Sequence, residues 1–105
     1  MQGIKVSVLY PAREGAHFDF DYYVSNHVPL VRKLLGSALQ RAEIDRGLTG
    51  RSATESPAYV AMLHMYFASR EAYGAAFAPH IETFRDDMPN YTDLKPVFQI
   101  SEPQP

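Results

Sequence analysis

No cysteine occurs among the 105 residues, which excludes a disulfide framework, a thiolate nucleophile and a cysteine-based zinc site. No apolar run approaches the ~20 residues needed to cross a bilayer, and no basic amphipathic helix offers itself to a membrane surface. The opening Met1-Gln2-Gly3-Ile4-Lys5-Val6 passes straight into a strand pattern, without the basic-then-apolar order of a secretory signal. With no cysteine to suggest an oxidising compartment, a cytoplasmic location is expected. The net charge of −2 is made of interspersed signs, so there is no basic stripe for nucleic acid. Several catalytic signatures are missing as well. Gly47-Leu48-Thr49-Gly50 lacks the Lys-Ser/Thr of a phosphate loop, no GxGxxG follows the first strand pattern, and no GxSxG exists. A metal site could draw on His27, His64, His80 and a carboxylate, but no HExxH or HxxxH spacing supports one. Neither a metal nor another cofactor is therefore expected.

What is present is one domain, residues 1–105, with an apolar share of 46%, enough for a packed core but not a roomy one. Ile4 to Tyr10 alternates and is rich in β-branched residues, which predicts a strand ended by Pro11. Phe20 to Leu35 predicts a helix, kinked near Pro29 and closed by Gly36. Leu39 to Arg46 predicts a second strand, and Gly47 to Pro57 a polar loop. Ala58 to Ala68 carries the strongest strand pattern, after which Ser69 caps a helix from Arg70 to about Ala78. A further helical piece, His80 to Arg85, follows Pro79. Asp86 to Asp93 predicts a turn-rich loop, and Leu94 to Ser101 the last strand. The order β-α-β-β-α-β is the ferredoxin-like pattern of the α+β class: an antiparallel sheet with two helices on one face. In that topology the loops 11–18, 48–57 and 87–93 meet at one end of the sheet. Tyr22, Tyr23, Asn90 and Tyr91 then surround one mouth.

The stretch Phe18 to Leu30 concentrates the chemistry. Asp19 fits an N-cap, Asp21 lies where the helix dipole favours a negative charge, and Phe18 with Tyr23 fits a hydrophobic staple. His27 falls four residues after Tyr23 and three before Leu30, inside the apolar stripe, and Pro29 interrupts the helix two residues later. A titratable ring on the inner face beside an irregularity is a candidate acid/base. Burial would keep it neutral. The same pattern also fits a core histidine satisfied by a backbone carbonyl. Tyr22, Tyr23 and Tyr91 can offer phenolic donors to a ligand, or sit as edge residues with the ring inward and the hydroxyl outward. Asn90 can supply a further polar contact at the same mouth. Asp86, Asp87 and Asp93 have the character of a solvated cap.

The strand from Ala58 to Ala68 is apolar on both faces: Tyr59, Ala61, Leu63, Met65 and Phe67 on one, Val60, Met62, His64 and Tyr66 on the other. A strand with one wet face should alternate. Two helices cover only one face, so the other is expected to meet a second copy of the sheet in an isologous homodimer. The alternative is a central strand whose neighbours supply the polar groups, with Lys5, Ser7, Gln99 and Ser101 available for that.

Taken together, Val8-Leu9-Tyr10-Pro11, Phe18-Asp19, Tyr22-Tyr23, His27-Val28-Pro29-Leu30, Pro57-Ala58-Tyr59-Val60-Ala61 and Asp87-Met88-Pro89-Asn90-Tyr91-Thr92-Asp93 resemble the EthD family. That family is named for ethyl tert-butyl ether degradation and lies within the dimeric α+β barrel superfamily. The resemblance spans nearly the whole chain, and the pair YYxxxHxPL and DxPNYT carries most of it. It implies a ferredoxin-like subunit, sheet-to-sheet pairing as a dimer, and a pocket for a small apolar organic ligand between helices and sheet. Similar proteins accompany ether-degrading cytochrome P450 oxygenase systems. Fungal relatives resemble decarboxylases of aromatic polyketides, and more distant ones are isomerases, cyclases and cofactor-free monooxygenases. Two functions follow: a cofactor-free enzyme using His27 on an apolar oxygenated molecule, or a non-catalytic binder that serves a neighbouring oxygenase.

Overall fold

The computed structural model describes residues 3–105. Four strands, β1 (Ile4–Pro11), β2 (Arg41–Arg46), β3 (Tyr59–Phe67) and β4 (Val97–Ser101), form one antiparallel sheet in the order β2-β3-β1-β4. β1 pairs Val6 with Met65 and Val8 with Leu63 on one side, and Val6 with Ile100 and Val8 with Phe98 on the other. Partners across a ladder share a face. Val6, Val8 and Tyr10 thus lie with Ala61, Leu63, Met65 and Phe67 beneath the helices, and all seven are buried. This is the ferredoxin-like arrangement anticipated from the order of elements.

The first helix is one continuous but irregular rod. It comprises α1 (Phe20–Tyr22), a π-helical turn (Tyr23–His27) and α2 (Val28–Leu35). Asp19 caps it, its side chain accepting from the Tyr22 N–H at 3.0 Å. Phe18 and Tyr23 meet edge to face with centroids 5.1 Å apart, realising the staple. The break is not a kink at Pro29. It lies upstream, where the wider turn sends the Val28 N–H back to the Tyr23 carbonyl. Proline has no N–H and its ring collides with the carbonyl four residues earlier. Opening the ladder by one residue removes that conflict and places Pro29 in the first turn of α2, where it is tolerated. Gly36, at φ +60, stops the helix in a conformation that favours glycine.

The second helical layer is α3 (Arg70–Phe77), a 3-10 turn at Ala78–His80 around Pro79, and α4 (Ile81–Asp87). Ser69 caps α3 through the Ala72 N–H. α4 runs further than the pattern predicts and continues as a 3-10 turn at Met88–Asn90, so Asp86 and Asp87 are helical rather than part of a loop. β4 starts at Val97 and not at Leu94. Pro96 cannot donate to a ladder, and Leu94 turns inward, buried, with its N–H on Thr92 Oγ1.

At one end of the sheet the loops are tied together. Ala12 N–H donates to the Ala58 carbonyl at 2.9 Å, and Asp19 N–H to the Tyr91 carbonyl at 2.7 Å. Thr92 Oγ1 donates to the His17 carbonyl, and Asp93 accepts from the His17 N–H and from Arg13. These bonds lay the segment around Tyr91 against the start of the first helix. The other face of the sheet is mixed. Val60, Met62, His64 and Tyr66 are half-buried in the single chain, with Ser7 bonded to His64 Nδ1 at 2.8 Å and Asp45 3.4 Å from its Nε2. Among the described residues no helix is long and apolar enough to cross a membrane.

Candidate functional site

The π turn delivers His27 to the interior, where it is 5% exposed. Its ring stacks on Tyr23 with an interplanar angle of 14° and leans on Tyr91 with centroids 4.6 Å apart. Nδ1 lies 2.8 Å from Oδ2 of Asp87, the last residue of α4. The other carboxylate oxygen of Asp87 accepts from the Tyr22 hydroxyl at 2.7 Å and from Asn90 Nδ2 at 2.9 Å. Asn90 also reaches the Tyr22 oxygen at 3.3 Å. Three donors therefore converge on one carboxylate.

This geometry fixes the charges. Burial pulls the His27 ring below the ordinary histidine value of 6.5, opposed by the hydrogen bond and charge of Asp87. Burial alone would raise the Asp87 carboxyl, but the bonds from His27, Tyr22 and Asn90 outweigh it and hold the group below its ordinary range. Near neutral pH the pair is thus a neutral imidazole whose Nδ1–H donates to an ionised Asp87. The second ring nitrogen, Nε2, then carries a lone pair. It has no hydrogen-bond partner within the described chain, and the ring lines the open space between sheet and helices.

That space is a cavity of about 470 Å³ between sheet and helices, within the range of small-molecule sites. Val8, Leu63 and Met65 form its floor, and Phe77 and Phe84 part of its roof, with His27 in the wall. Tyr10 and Tyr91 also line it, and their hydroxyls are bonded to each other at 2.8 Å. Burial pushes both phenols, and that of Tyr23, above the ordinary value of 10.0, so all three stay protonated. One bond between Tyr10 and Tyr91 uses one hydrogen of the two. The Tyr23 hydroxyl is buried next to that of Tyr10, a polar neighbour with which it makes no well-formed hydrogen bond. Of the two phenols that line the cavity, one O–H hydrogen is therefore left over from their mutual bond. Among the described residues no group of three or more His, Asp or Glu side chains is placed to hold a metal ion.

The sequence candidates divide accordingly. His27 and Tyr91 line the cavity. Tyr22 and Asn90 do not; they face Asp87 and hold it. Tyr23 packs behind His27, fully buried. Asp87, read from sequence as part of a solvated cap, is the partner of His27, because α4 extends far enough to turn it inward. Its signal was the spacing Asp87, Asn90, Tyr91, at i, i+3 and i+4, one helical face turned toward Tyr22 and His27. Tyr10, at the end of β1, and Arg85, on α4, also line the cavity and were not anticipated.

Residues 16–95 match the model of the EthD domain. The chain is 43% identical to an EthD-like protein of Ralstonia eutropha JMP134, with 97% of this chain and 92% of that one covered and a TM-score of 0.93. An ethyl tert-butyl ether degradation (EthD) family protein of Bacillus halodurans C-125 is 24% identical, at coverages of 97% and 99% and a TM-score of 0.72. A DABB family protein with a ferredoxin-like fold from Mesorhizobium loti MAFF303099 shares the fold at 15% identity, with both chains fully covered and a TM-score of 0.62. None of the curated proteins matches the chain.

The lowered pKa values of His27 and Asp87 set the sign of a pH dependence. Below about pH 6.5 the unfolded chain takes up a proton at His27 that the folded chain resists. The unfolded state then binds more protons, so stability falls as the pH is lowered through that window. A second loss, from Asp87, follows below about 4. Denaturant unfolding of the protein and of His27→Gln, at neutral and mildly acidic pH, checks this. The protein should lose more stability than the variant over the first window; equal losses would contradict the assignment.

Proposed function

Because the chain belongs to the EthD family, we propose that it is a small cofactor-free enzyme that moves protons on a mostly apolar, oxygenated small molecule, with His27 as the acid/base. The observation that carries the reading is the Asp87–His27 pair. It leaves a neutral imidazole with Nε2 facing a cavity walled by apolar side chains. Asp87 orients the ring and stabilises the imidazolium that forms when Nε2 takes a proton. Tyr22 and Asn90 position Asp87 and do not touch substrate. The one surplus O–H of the Tyr10–Tyr91 pair fits a carbonyl oxygen, on which negative charge grows as the adjacent C–H is removed. Return of the proton to another atom of the substrate completes an isomerisation. The same enolate is the product of a decarboxylation or the nucleophile of a ring closure. The preponderance of apolar wall favours a second reading, in which the cavity carries a hydrophobic compound for a neighbouring oxygenase and His27 only anchors it.

The two readings separate on a probe that needs nothing but a base in an apolar site. In the Kemp elimination of 5-nitrobenzisoxazole, removal of the C3 proton breaks the N–O bond and releases a cyanonitrophenolate, which is followed by its absorbance. The acid/base reading expects turnover that falls by about two to four orders of magnitude in His27→Gln. A rate no better than free imidazole, with the probe still bound, would leave only the carrier.

The open face of the sheet supports pairing with a second copy. Leu9, Val60, Met62 and Val97 form its apolar part, and Val97 is 48% exposed in the single chain. Apolar side chains left partly open on a sheet face that no helix covers favour an interface. An isologous homodimer burying at least ~1,000 Å² should form. Light scattering at micromolar concentration is expected to give the mass of two chains, and a monomer would contradict it.

A further inference from the structure

We propose that the cavity selects an amphipathic anion: a ligand with an apolar body and a carboxylate end that Arg85 binds at the mouth. The inference rests on the reading of the cavity as the ligand site. Ile81, Phe84, Arg85 and Met88 all line the cavity. Their spacing, i, i+3, i+4 and i+7, is that of one face of α4. In a stripe facing an apolar space every member should be apolar, and three of the four are. The fourth is an arginine, and a local rule broken at a cavity wall points to function. The guanidinium makes no ion pair or side-chain hydrogen bond within the described chain. Glu82 lies three residues before it on the same helix and Asp86 next to it, both exposed, yet neither pairs with it. Among the described residues it is also the one group lining the cavity that is positively charged near neutral pH, since His27 is held neutral. Arg85 is exposed, so its charge is solvated at the rim and not trapped inside.

A planar guanidinium with free donors matches a carboxylate in two parallel hydrogen bonds. The two ends of the cavity then make different demands. The inner wall offers one O–H donor of the Tyr10–Tyr91 pair and the base Nε2 to a neutral oxygenated group, while the mouth offers a cation. A ligand satisfying both is a keto acid or phenolic acid whose carboxylate stays at the mouth while the reacting carbon lies within. Arg85 is then a specificity residue that orients the substrate.

The test uses a matched pair of probes, 4-phenylbutyrate and its neutral amide, titrated calorimetrically into the protein, Arg85→Met and Arg85→Lys at low and high salt. The acid should bind about tenfold more tightly than the amide, a gap expected of a charge-assisted hydrogen bond near the surface. That preference should shrink at high salt, vanish in Arg85→Met and persist in part in Arg85→Lys, with amide affinity unchanged throughout. Equal affinity for acid and amide in the unmodified protein would overturn the proposal, as would an Arg85→Met change that weakens both alike. Failure of both probes to bind the unmodified protein has a different meaning: it removes the cavity as a ligand site, and the role of Arg85 with it.

Discussion

The bond between His27 Nδ1 and Asp87 ties the irregular turn of the first helix to the end of the last one, across the top of the sheet. Each of its parts depends on a separate local device. His27 turns inward because a π turn absorbs the conflict created by Pro29. Asp87 turns inward because α4 continues past its predicted end. Tyr22 reaches Asp87 because the Asp19 cap starts the helix in the right phase. Remove the carboxylate and three donors lose their acceptor while the histidine loses the group that fixes its tautomer. A buried network of this type is costly when half-satisfied, which is why its members arrive as a set.

Above that pair the packing is looser by design of the topology. Two helical layers rest on a sheet whose inner face is fully apolar, yet they leave a space of about 470 Å³. The polar groups that line it are few and unlike one another: an imidazole, a hydrogen-bonded pair of phenols with one hydrogen to spare, and an arginine at the rim. In an apolar surround each of these counts for more than in water.

Much of the architecture was legible in the sequence because it rests on period and punctuation. The alternation in β1 and β3, the caps at Asp19 and Ser69 and the glycine at Gly36 each act locally, and the ferredoxin-like order follows from them. The convergence of Tyr22, Asn90 and Tyr91 at one end was legible for the same reason. What remained hidden depends on distance in space. Pro29 marks an irregularity but not whether the helix kinks at it or opens before it. Asp87 sits in an acidic, proline-flanked segment that reads as solvated until Tyr22 and His27 are laid against it. Tyr10 has the pattern of an ordinary core residue, and only its hydrogen bond with Tyr91, brought over the sheet by the turn after α4, ties it to the site. The roles of Tyr22 and Asn90 changed accordingly, from ligand contacts to supports of the carboxylate.

The central claim is that Asp87 holds His27 as a neutral ring with its proton on Nδ1 and its lone pair toward the cavity. Long-range proton–nitrogen correlation spectra of the histidine-labelled protein, assigned with His27→Gln, read that state directly. Near neutral pH, His27 should appear as the Nδ1–H tautomer, with Nε2 at the shift of an unprotonated nitrogen, and should titrate below 6.5. An Nε2–H tautomer, or an imidazolium at neutral pH, would contradict the account.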